Sequence, residues 1–229
     1  MSNITYASII PLIGGESIGI MNALNGKLPE YLVSYPAFKN NESHYIEYLK
    51  NKGWDTSKYI VLDNSEHGLT SPPPIGISYV DIVNAVPPCA GLSSLNRGAG
   101  HGCPANDWMY VATEFALKNI KPKIFFGENA PRLGSATGLE VRNKLRKIAK
   151  KYGYSFSIYK TAAYLHGVPQ KRPRTFFFFW NTKHVPQMTW NLKPVTPFIK
   201  QLGNDIKKDP MNITPNPKIP SEDIYYHYL

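Results

Sequence analysis

The sequence lacks the features that are typical of secreted and membrane proteins. Its 229 residues include two cysteines, Cys89 and Cys103, which cannot build a disulfide framework and are not spaced like a zinc site. No stretch reaches the ~18 apolar residues of a membrane span. No basic segment precedes an apolar run at the N-terminus, as it would in a signal peptide. These absences predict a protein of a reducing compartment, such as the cytoplasm, with no membrane partner.

Acidic residues are also scarce, and this sets the expected class of partner. Aspartate and glutamate number 16 against 26 lysines and arginines, which gives a net charge of +10. A basic balance favours a polyanionic partner, with nucleic acid first and an anionic membrane surface second. Because 42% of the residues are hydrophobic, the chain is predicted to be globular and to bury a real core.

Strand-like segments alternate with helical ones along most of the chain. Residues 4–13 are predicted to form the first strand, Gly14 and Gly15 open a turn, and a helix follows. The runs 77–85 and 124–128 are predicted to be further buried strands. The alternation indicates an α/β fold with a doubly wound, mostly parallel, Rossmann-like sheet. The glycine turn before the first helix is typical of a nucleotide-like cofactor site, although a plain strand–helix turn has the same pattern.

Groups capable of covalent chemistry follow the strand ends. Two prolines end the strand over 77–85, and Cys89 comes directly after them. A cysteine in such a loop is often simply buried. However, Glu128 ends another strand, and Arg172 and Arg174 precede a third. Because ligands bind at the C-terminal strand ends of open α/β sheets, this set indicates covalent chemistry on a polar, planar substrate.

Three short motifs carry a family resemblance. Pro-Pro-Cys at 87–89, Glu-Asn at 128–129 and Gln-x-Arg-x-Arg at 170–174 follow one another in this order. In order and spacing they resemble the catalytic motifs of the DNA cytosine-5 methyltransferase family. The resemblance implies a methyltransferase catalytic domain over residues 1–180, followed by a proline-rich extension over residues 181–229.

The resemblance also implies a reaction. Cys89 would attack C6 of a cytosine that has been flipped out of DNA, and the covalent adduct would activate C5 toward a methyl group. Glu128 would hold N3 of the base and Arg174 would hydrogen-bond its O2. Arg172 would orient Glu128 or contact a phosphate.

S-adenosylmethionine (SAM) is the cofactor that the resemblance implies. The residues implied to contact it are Ile10, Gly14, Gly15, Ser34, Asp63, Asn64, Pro87 and Met109. Two departures from the family pattern fall at this site. Ile10 and Leu12 stand where the family has phenylalanine and glycine, and no acid follows the second strand until Glu42. Leucine cannot replace glycine where only backbone should approach, so the sequence leaves SAM binding open.

Four residues are implied to contact nucleic acid: Ser93, Ser94, Arg97 and Gln170. Three of them belong to a glycine-rich segment over 91–103, which is implied to close over DNA and is equally typical of a surface loop. A basic helix over 139–152 either adds to the electrostatic attraction for DNA or presents a solvated face that covers the sheet.

Other readings of the chain remain open. The target-recognition region and the closing helix of the family do not fit into residues 181–229, so a fragment, a subunit that needs a second methyltransferase subunit, or a degenerate relative is expected. A catalytically silent relative would bind DNA or a partner methyltransferase without holding SAM. An RNA (tRNA) cytosine-5 methyltransferase would use the same chemistry. The family resemblance implies a bacterial restriction–modification or phage setting.

Overall fold

The computed structural model describes residues 3–62, 75–93, 96–98, 100–190 and 192–195. Within them, seven strands form one sheet in the order β3-β2-β1-β4-β5-β7-β6. The strands are β1 Tyr6–Ile9, β2 Leu32–Ser34, β3 Tyr59–Val61, β4 Ile82–Ala85, β5 Ile124–Asn129, β6 Ser155–Ala162 and β7 Pro173–Trp180. The α-helices of the described residues are α1 Gly15–Ala23, α2 Ser43–Asn51, α3 Asp107–Phe115 and α4 Leu139–Tyr152.

The sheet is mostly parallel, and the order of its strands reverses between β1 and β4. β1 pairs in parallel with both β2 and β4, and β2–β3 and β4–β5 are also parallel, whereas β7 runs antiparallel to β5. The strand order therefore switches between β1 and β4. Open α/β sheets bind their ligands at the carboxyl ends of the strands beside such a switch point. This architecture confirms the predicted doubly wound sheet.

The core lies where β5 and β7 pack against the helices. Phe125, Phe177 and Phe179 have no exposed surface, and the rings of Phe125 and Phe179 have centroids 5.6 Å apart. Met109 and Phe115 of α3 belong to the same buried cluster. The aromatic run at the end of β7 is thus the centre of the core, and it fixes β7 beside β5.

The first strand is shorter than the predicted 4–13. It ends at Ile9 because the backbone turns sharply at the next residues, with a positive φ of 52° at Ile10 and 50° at Leu12. A left-handed conformation cannot continue an extended strand. The glycine turn therefore follows the carboxyl end of β1, one of the two strands at the switch point.

The chain divides into two compact units. The first consists of residues 1–161 and 173–189 and contains nearly the whole sheet. The described residues of the second unit are 162–172, 190 and 192–195. In that unit the Lys193 N–H donates to the Leu165 carbonyl at 3.0 Å. Among the described residues, no helix has the length and apolar character needed to cross a bilayer.

Candidate active site

Cys89 lies in the turn that follows β4. β4 is a central strand between β1 and β5, and Pro87 beyond its end is buried. The Leu92 N–H donates to the Cys89 carbonyl at 2.9 Å and closes the turn. Cys89 itself is exposed. The fold therefore holds the backbone of a nucleophilic residue rigidly while leaving the residue accessible.

The end of β5 lies beside this turn. β4 and β5 run parallel with Ala85 opposite Gly127, so Glu128 and the turn of Cys89 lie at the same edge of the sheet. Asn129 links the two strand ends, since its Nδ2 lies 3.5 Å from the carbonyl oxygens of both prolines in the turn. The predicted convergence of the two strand ends is confirmed by this register.

Glu128 forms an ion pair with Arg174. In the antiparallel pairing of β5 with β7, Glu128 lies opposite Phe176, and Arg174 is two residues along β7 on the same face. Diagonal neighbours of this kind are within reach of long side chains. The Arg174 Nε contacts the Glu128 Oε1, and both side chains are about one-fifth exposed. A carboxylate and a guanidinium group are thus held together at the edge that carries Cys89.

The two arginines of the motif have different environments. Arg172 was predicted to orient Glu128 or to contact a phosphate; in the structure Arg174 contacts Glu128. Arg174 belongs to β7 and is two residues from Phe176, which lies opposite Glu128. Arg172 belongs to the second unit, where it is exposed and its carbonyl accepts from the Ala163 N–H at 3.2 Å. Its contact with a phosphate stays a prediction, as does that of the exposed Gln170 with DNA.

The turn after β1 adopts the left-handed backbone conformation that favours glycine, although residue 12 is a leucine. Ile10 and Leu12 have left-handed φ values of 52° and 50°, a conformation that costs an ordinary residue about 1–2 kcal/mol. The Gly14 N–H donates to the Pro11 carbonyl at 2.8 Å, and Gly14 caps α1 with φ 80°. The path of the turn is therefore compatible with a cofactor loop, although a leucine side chain remains at residue 12.

The two glycines of the turn have different surroundings. A Cβ on Gly14 would lie 2.1 Å from the Tyr45 ring, whereas a Cβ on Gly15 would meet no atom within 4 Å. Gly14 is thus needed for packing. Gly15 exposes open backbone at the N-terminus of α1, where N–H groups can bind an anionic or polar ligand.

This difference leads to a stability prediction. Gly14→Ala is expected to lower the free energy of unfolding by about 2–4 kcal/mol, because left-handed strain adds to a clash with the Tyr45 ring. Gly15→Ala, the matched control, is expected to change it by less than about 0.5 kcal/mol. Urea unfolding of both variants measures the difference. Equal losses in the two variants would contradict the packing role of Gly14.

Glu16, in the first turn of α1, is a carboxyl group that sequence reasoning passed over. The Asn84 Nδ2 donates to its Oε2 at 3.3 Å, and Asn84 in turn accepts from the Ser8 hydroxyl at 2.5 Å. The Glu16 Oε1 is buried and has no hydrogen-bond partner among the residues that the structure describes. Burial, and next the negative charge of Glu128, raise the pKa of Glu16 to about 8, although the Asn84 hydrogen bond opposes the shift. Glu16 is therefore mostly protonated at neutral pH.

This pKa makes stability depend on pH. The folded-state pKa of about 8 lies above the ordinary value of 4.5. The folded chain therefore binds the extra proton between these values, and this group lowers stability as the pH rises through that window. Glu16→Gln should remove the loss, which is on the order of a few kcal/mol at about 1.4 kcal/mol per pKa unit. Urea unfolding at pH 5 and pH 8.5 checks this, and a variant no more stable than wild type at pH 8.5 would contradict it.

Glu42 supplies an acid where none was expected. The Tyr59 hydroxyl donates to its Oε2 at 2.6 Å, and the Leu12 N–H lies 3.5 Å from its Oε1. Glu42 has no exposed surface, and this burial raises its pKa despite the two donors. It lies in the chain well beyond Ser34, the last residue of β2. No local pattern could show that the intervening turn returns it to the loop after β1.

The other predicted cofactor residues lie in two groups. Ile10, Ser34 and Met109 have no exposed surface, so direct contact with a ligand would require the pocket to open, and it stays a prediction. Asp63 and Asn64 lie outside the described residues. The buried Pro87 supports the turn before Cys89.

The segment after Cys89 is held by a buried amide. The Asn106 Nδ2 donates to the Gly100 carbonyl at 2.8 Å, and a Cβ on Gly91 would lie 2.3 Å from the Asn106 Oδ1. Gly91 is therefore required for this close approach. The described part of the predicted DNA-closing loop is thus anchored at both ends.

The predicted nucleic-acid contacts of this segment have separate environments. The Ser93 carbonyl accepts from Arg132 at 3.2 Å, and Arg97 is exposed. Ser94 lies outside the described residues. Contact of any of these residues with DNA stays a prediction.

The basic helix α4 uses much of its charge within the protein. The Arg142 Nη1 donates to the carbonyls of Leu133 and Ser135 at 2.5 and 2.6 Å. Lys151 pairs with Glu114. These contacts favour a structural face that covers the domain, although further lysines of the helix remain exposed.

Comparison with known proteins supports one family. A family model for C-5 cytosine-specific DNA methylases matches residues 5–227, nearly the whole chain. A comparison with curated protein sequences found no significant match.

Solved methyltransferase structures share the fold. A DNA modification methyltransferase encoded within an E. coli prophage is 17% identical with a TM-score of 0.52, and the match covers 78% of this chain and 47% of that protein. The Entamoeba histolytica methyltransferase EhMeth is 15% identical with a TM-score of 0.57, covering 86% and 58%. A mutant of Spodoptera frugiperda DNMT2 is 16% identical with a TM-score of 0.52, covering 84% and 53%. The chain therefore spans about half the length of these three solved proteins.

Proposed function

The chain belongs to the C-5 cytosine-specific DNA methylase family, and we propose that it acts as the catalytic part of a DNA (cytosine-5) methyltransferase. The observation that carries the proposal is the arrangement at the switch point. An exposed Cys89 follows β4, and the Glu128–Arg174 pair lies at the end of the neighbouring strand. A nucleophile, a carboxyl group and a fixed cation are the groups that addition to a cytosine ring requires.

The turn after β1 fits a nucleotide-like cofactor. Gly15 has open space around it, α1 directs its free N–H groups toward that space, and the left-handed turn persists at Leu12. Residues Gly14 to Glu16 would hold SAM there, with Glu42 supporting the loop from beneath. When bound, SAM supplies an electrophilic methyl group for C5 of the base.

The side chains of the site would act on the cytosine. The Cys89 thiolate forms a bond to C6, the C5–C6 π bond breaks, and its electron pair moves toward C5 and N3. Glu128 shares a proton with N3 and limits the charge that develops there, while Arg174 fixes the Glu128 carboxyl group and points a donor toward O2. After C5 has taken the methyl group, its proton passes to solvent, the C5–H electron pair re-forms the C5–C6 double bond, and the Cys89–C6 bond breaks to release the Cys89 thiolate.

DNA is the proposed substrate. C6 of a stacked cytosine cannot be reached, so the base must leave the duplex, and a basic protein offsets this cost through phosphate contacts. The net charge of +10 and the exposed Arg97 close to the turn of Cys89 support this. A second methyltransferase subunit that carries target recognition is part of the proposal.

Two measurements test the proposed function. The first is calorimetric titration of the chain with S-adenosylhomocysteine (SAH), the demethylated product of the cofactor, for which micromolar binding is expected. The second is transfer of a labelled methyl group to duplex DNA, single-stranded DNA and tRNA, with Cys89→Ala as the control and with a candidate second subunit added or omitted. Methyl transfer to tRNA and to neither form of DNA would identify RNA as the substrate. If the chain shows no SAH binding and no methyl transfer, with or without the second subunit, the remaining interpretation is a catalytically silent relative.

A further inference from the structure

Glu16 is a preorganised acid for which the reaction at Cys89 has no role. Asn84 fixes its Oε2, and the Ser8 hydroxyl fixes Asn84, so that two strands hold one carboxyl group in place. Part of the residue is accessible, yet its Oε1 is buried and unpartnered among the described residues. Burying a polar atom without a hydrogen-bond partner costs free energy, unless a bound ligand supplies that partner.

The position of this carboxyl group indicates the kind of ligand. Glu16 follows the open backbone of Gly15 at the end of β1, and it is close enough to Glu128 for the two charges to interact. Arg174 is the cation that pairs with Glu128. Glu16 therefore lies near a second carboxyl group, and a positive charge bound beside its unpartnered Oε1 would be stabilised.

We propose that Glu16 is a cofactor-discriminating residue that binds the cationic methionine end of SAM and releases a proton when it does so. This inference rests on the proposed function. The sulfonium of SAM carries a positive charge that its product SAH lacks. Glu16 therefore favours the substrate form of the cofactor over the product form, and its Oε1 proton passes to the buffer on binding. The raised pKa supports the proton release, because the acid is mostly protonated before the cation arrives.

The test is calorimetric titration of the whole chain with SAM and with SAH at pH 7, each in phosphate and in Tris. The two buffers differ in ionisation enthalpy, so the difference in heat counts the protons released. Wild type is expected to release up to about 0.9 proton per SAM, since a group with a pKa near 8 is about nine-tenths protonated at pH 7. Release with SAH should be much smaller.

Variants separate the proposed role from a structural one. Glu16→Gln is expected to abolish the proton release and to lower the preference for SAM over SAH roughly ten- to a hundredfold, the range of a charged hydrogen bond. Glu16→Asp should restore part of both. Glu140→Gln, the same change in the first turn of α4, where the residue is exposed, should alter neither. Circular dichroism confirms that each variant is folded.

The outcomes distinguish this inference from the proposed function. Binding of both forms by wild type with equal proton release, or a Glu16→Gln variant with an unchanged SAM preference, would overturn the role of Glu16 and leave the proposed function standing. Failure of wild type to bind either form, alone and with the second subunit, would overturn both.

Discussion

Cys89→Ala is expected to abolish methyl transfer to cytosine while leaving the fold unchanged. Alanine has no atom that can bond to C6, so the rate should fall to background. The exposure of Cys89 means that removing its sulfur leaves no cavity, and the turn is held by backbone contacts that alanine retains. Labelled methyl transfer and urea unfolding of the same preparation measure the two effects.

The matched control is Cys103→Ala, which removes the other cysteine of the chain. Cys103 is partly buried and precedes a short turn that leads into α3. Its replacement should keep most of the activity. Activity retained in Cys89→Ala would contradict covalent catalysis at this turn.

A trapping experiment identifies the bond itself. With SAM present and 5-fluorocytosine at the target in DNA, methyl transfer leaves C5 with fluorine in place of the proton that must leave. Release of Cys89 from C6 needs that proton to be lost, so a covalent protein–DNA complex should survive denaturation. Wild type and Cys103→Ala are expected to form the complex, whereas Cys89→Ala is not.

Arg174→Ala is expected to lower activity about 10²–10⁴-fold, the usual range for loss of a group that supports proton transfer. The guanidinium group holds Glu128 in place, and its loss leaves that carboxyl group beside Glu16 with less compensating charge. The free energy of unfolding should also fall by about 1.5–3 kcal/mol, as for a partly buried charged hydrogen bond. Methyl-transfer rates and urea unfolding check both expectations.

Two control variants sharpen this result. Arg174→Lys keeps the positive charge but loses the planar fork, so it should recover stability better than activity. Arg172→Ala removes the exposed arginine of the same motif and should leave stability nearly unchanged. A larger stability loss at Arg172 than at Arg174 would contradict the observed pairing with Glu128.

Part of the site followed from the sequence alone. Prolines that end a β-branched strand place Cys89 at a strand end, and the aromatic run before residue 180 predicts a core strand. The alternation of strands and helices predicts the parallel sheet, because parallel strands need crossover connections. The register of β4 and β5 then confirmed that Cys89 and Glu128 lie at one edge.

Other parts depended on contacts between residues that are distant in sequence. The antiparallel register of β7 decided that Arg174 pairs with Glu128. The packing of Tyr45 decided which glycine of the pair is structural. Neither contact leaves a local pattern, since each depends on where a later element returns to the sheet.

The sequence by itself therefore determined the fold class, the order of the motifs and the chemical identity of the reacting groups, because these depend on local periodicity and residue type. The tertiary structure decided the protonation of Glu16 and the placement of Glu42 beneath the loop after β1. The physical reason is that burial and neighbouring charge set the pKa of a carboxyl group, and both arise only when distant segments pack together.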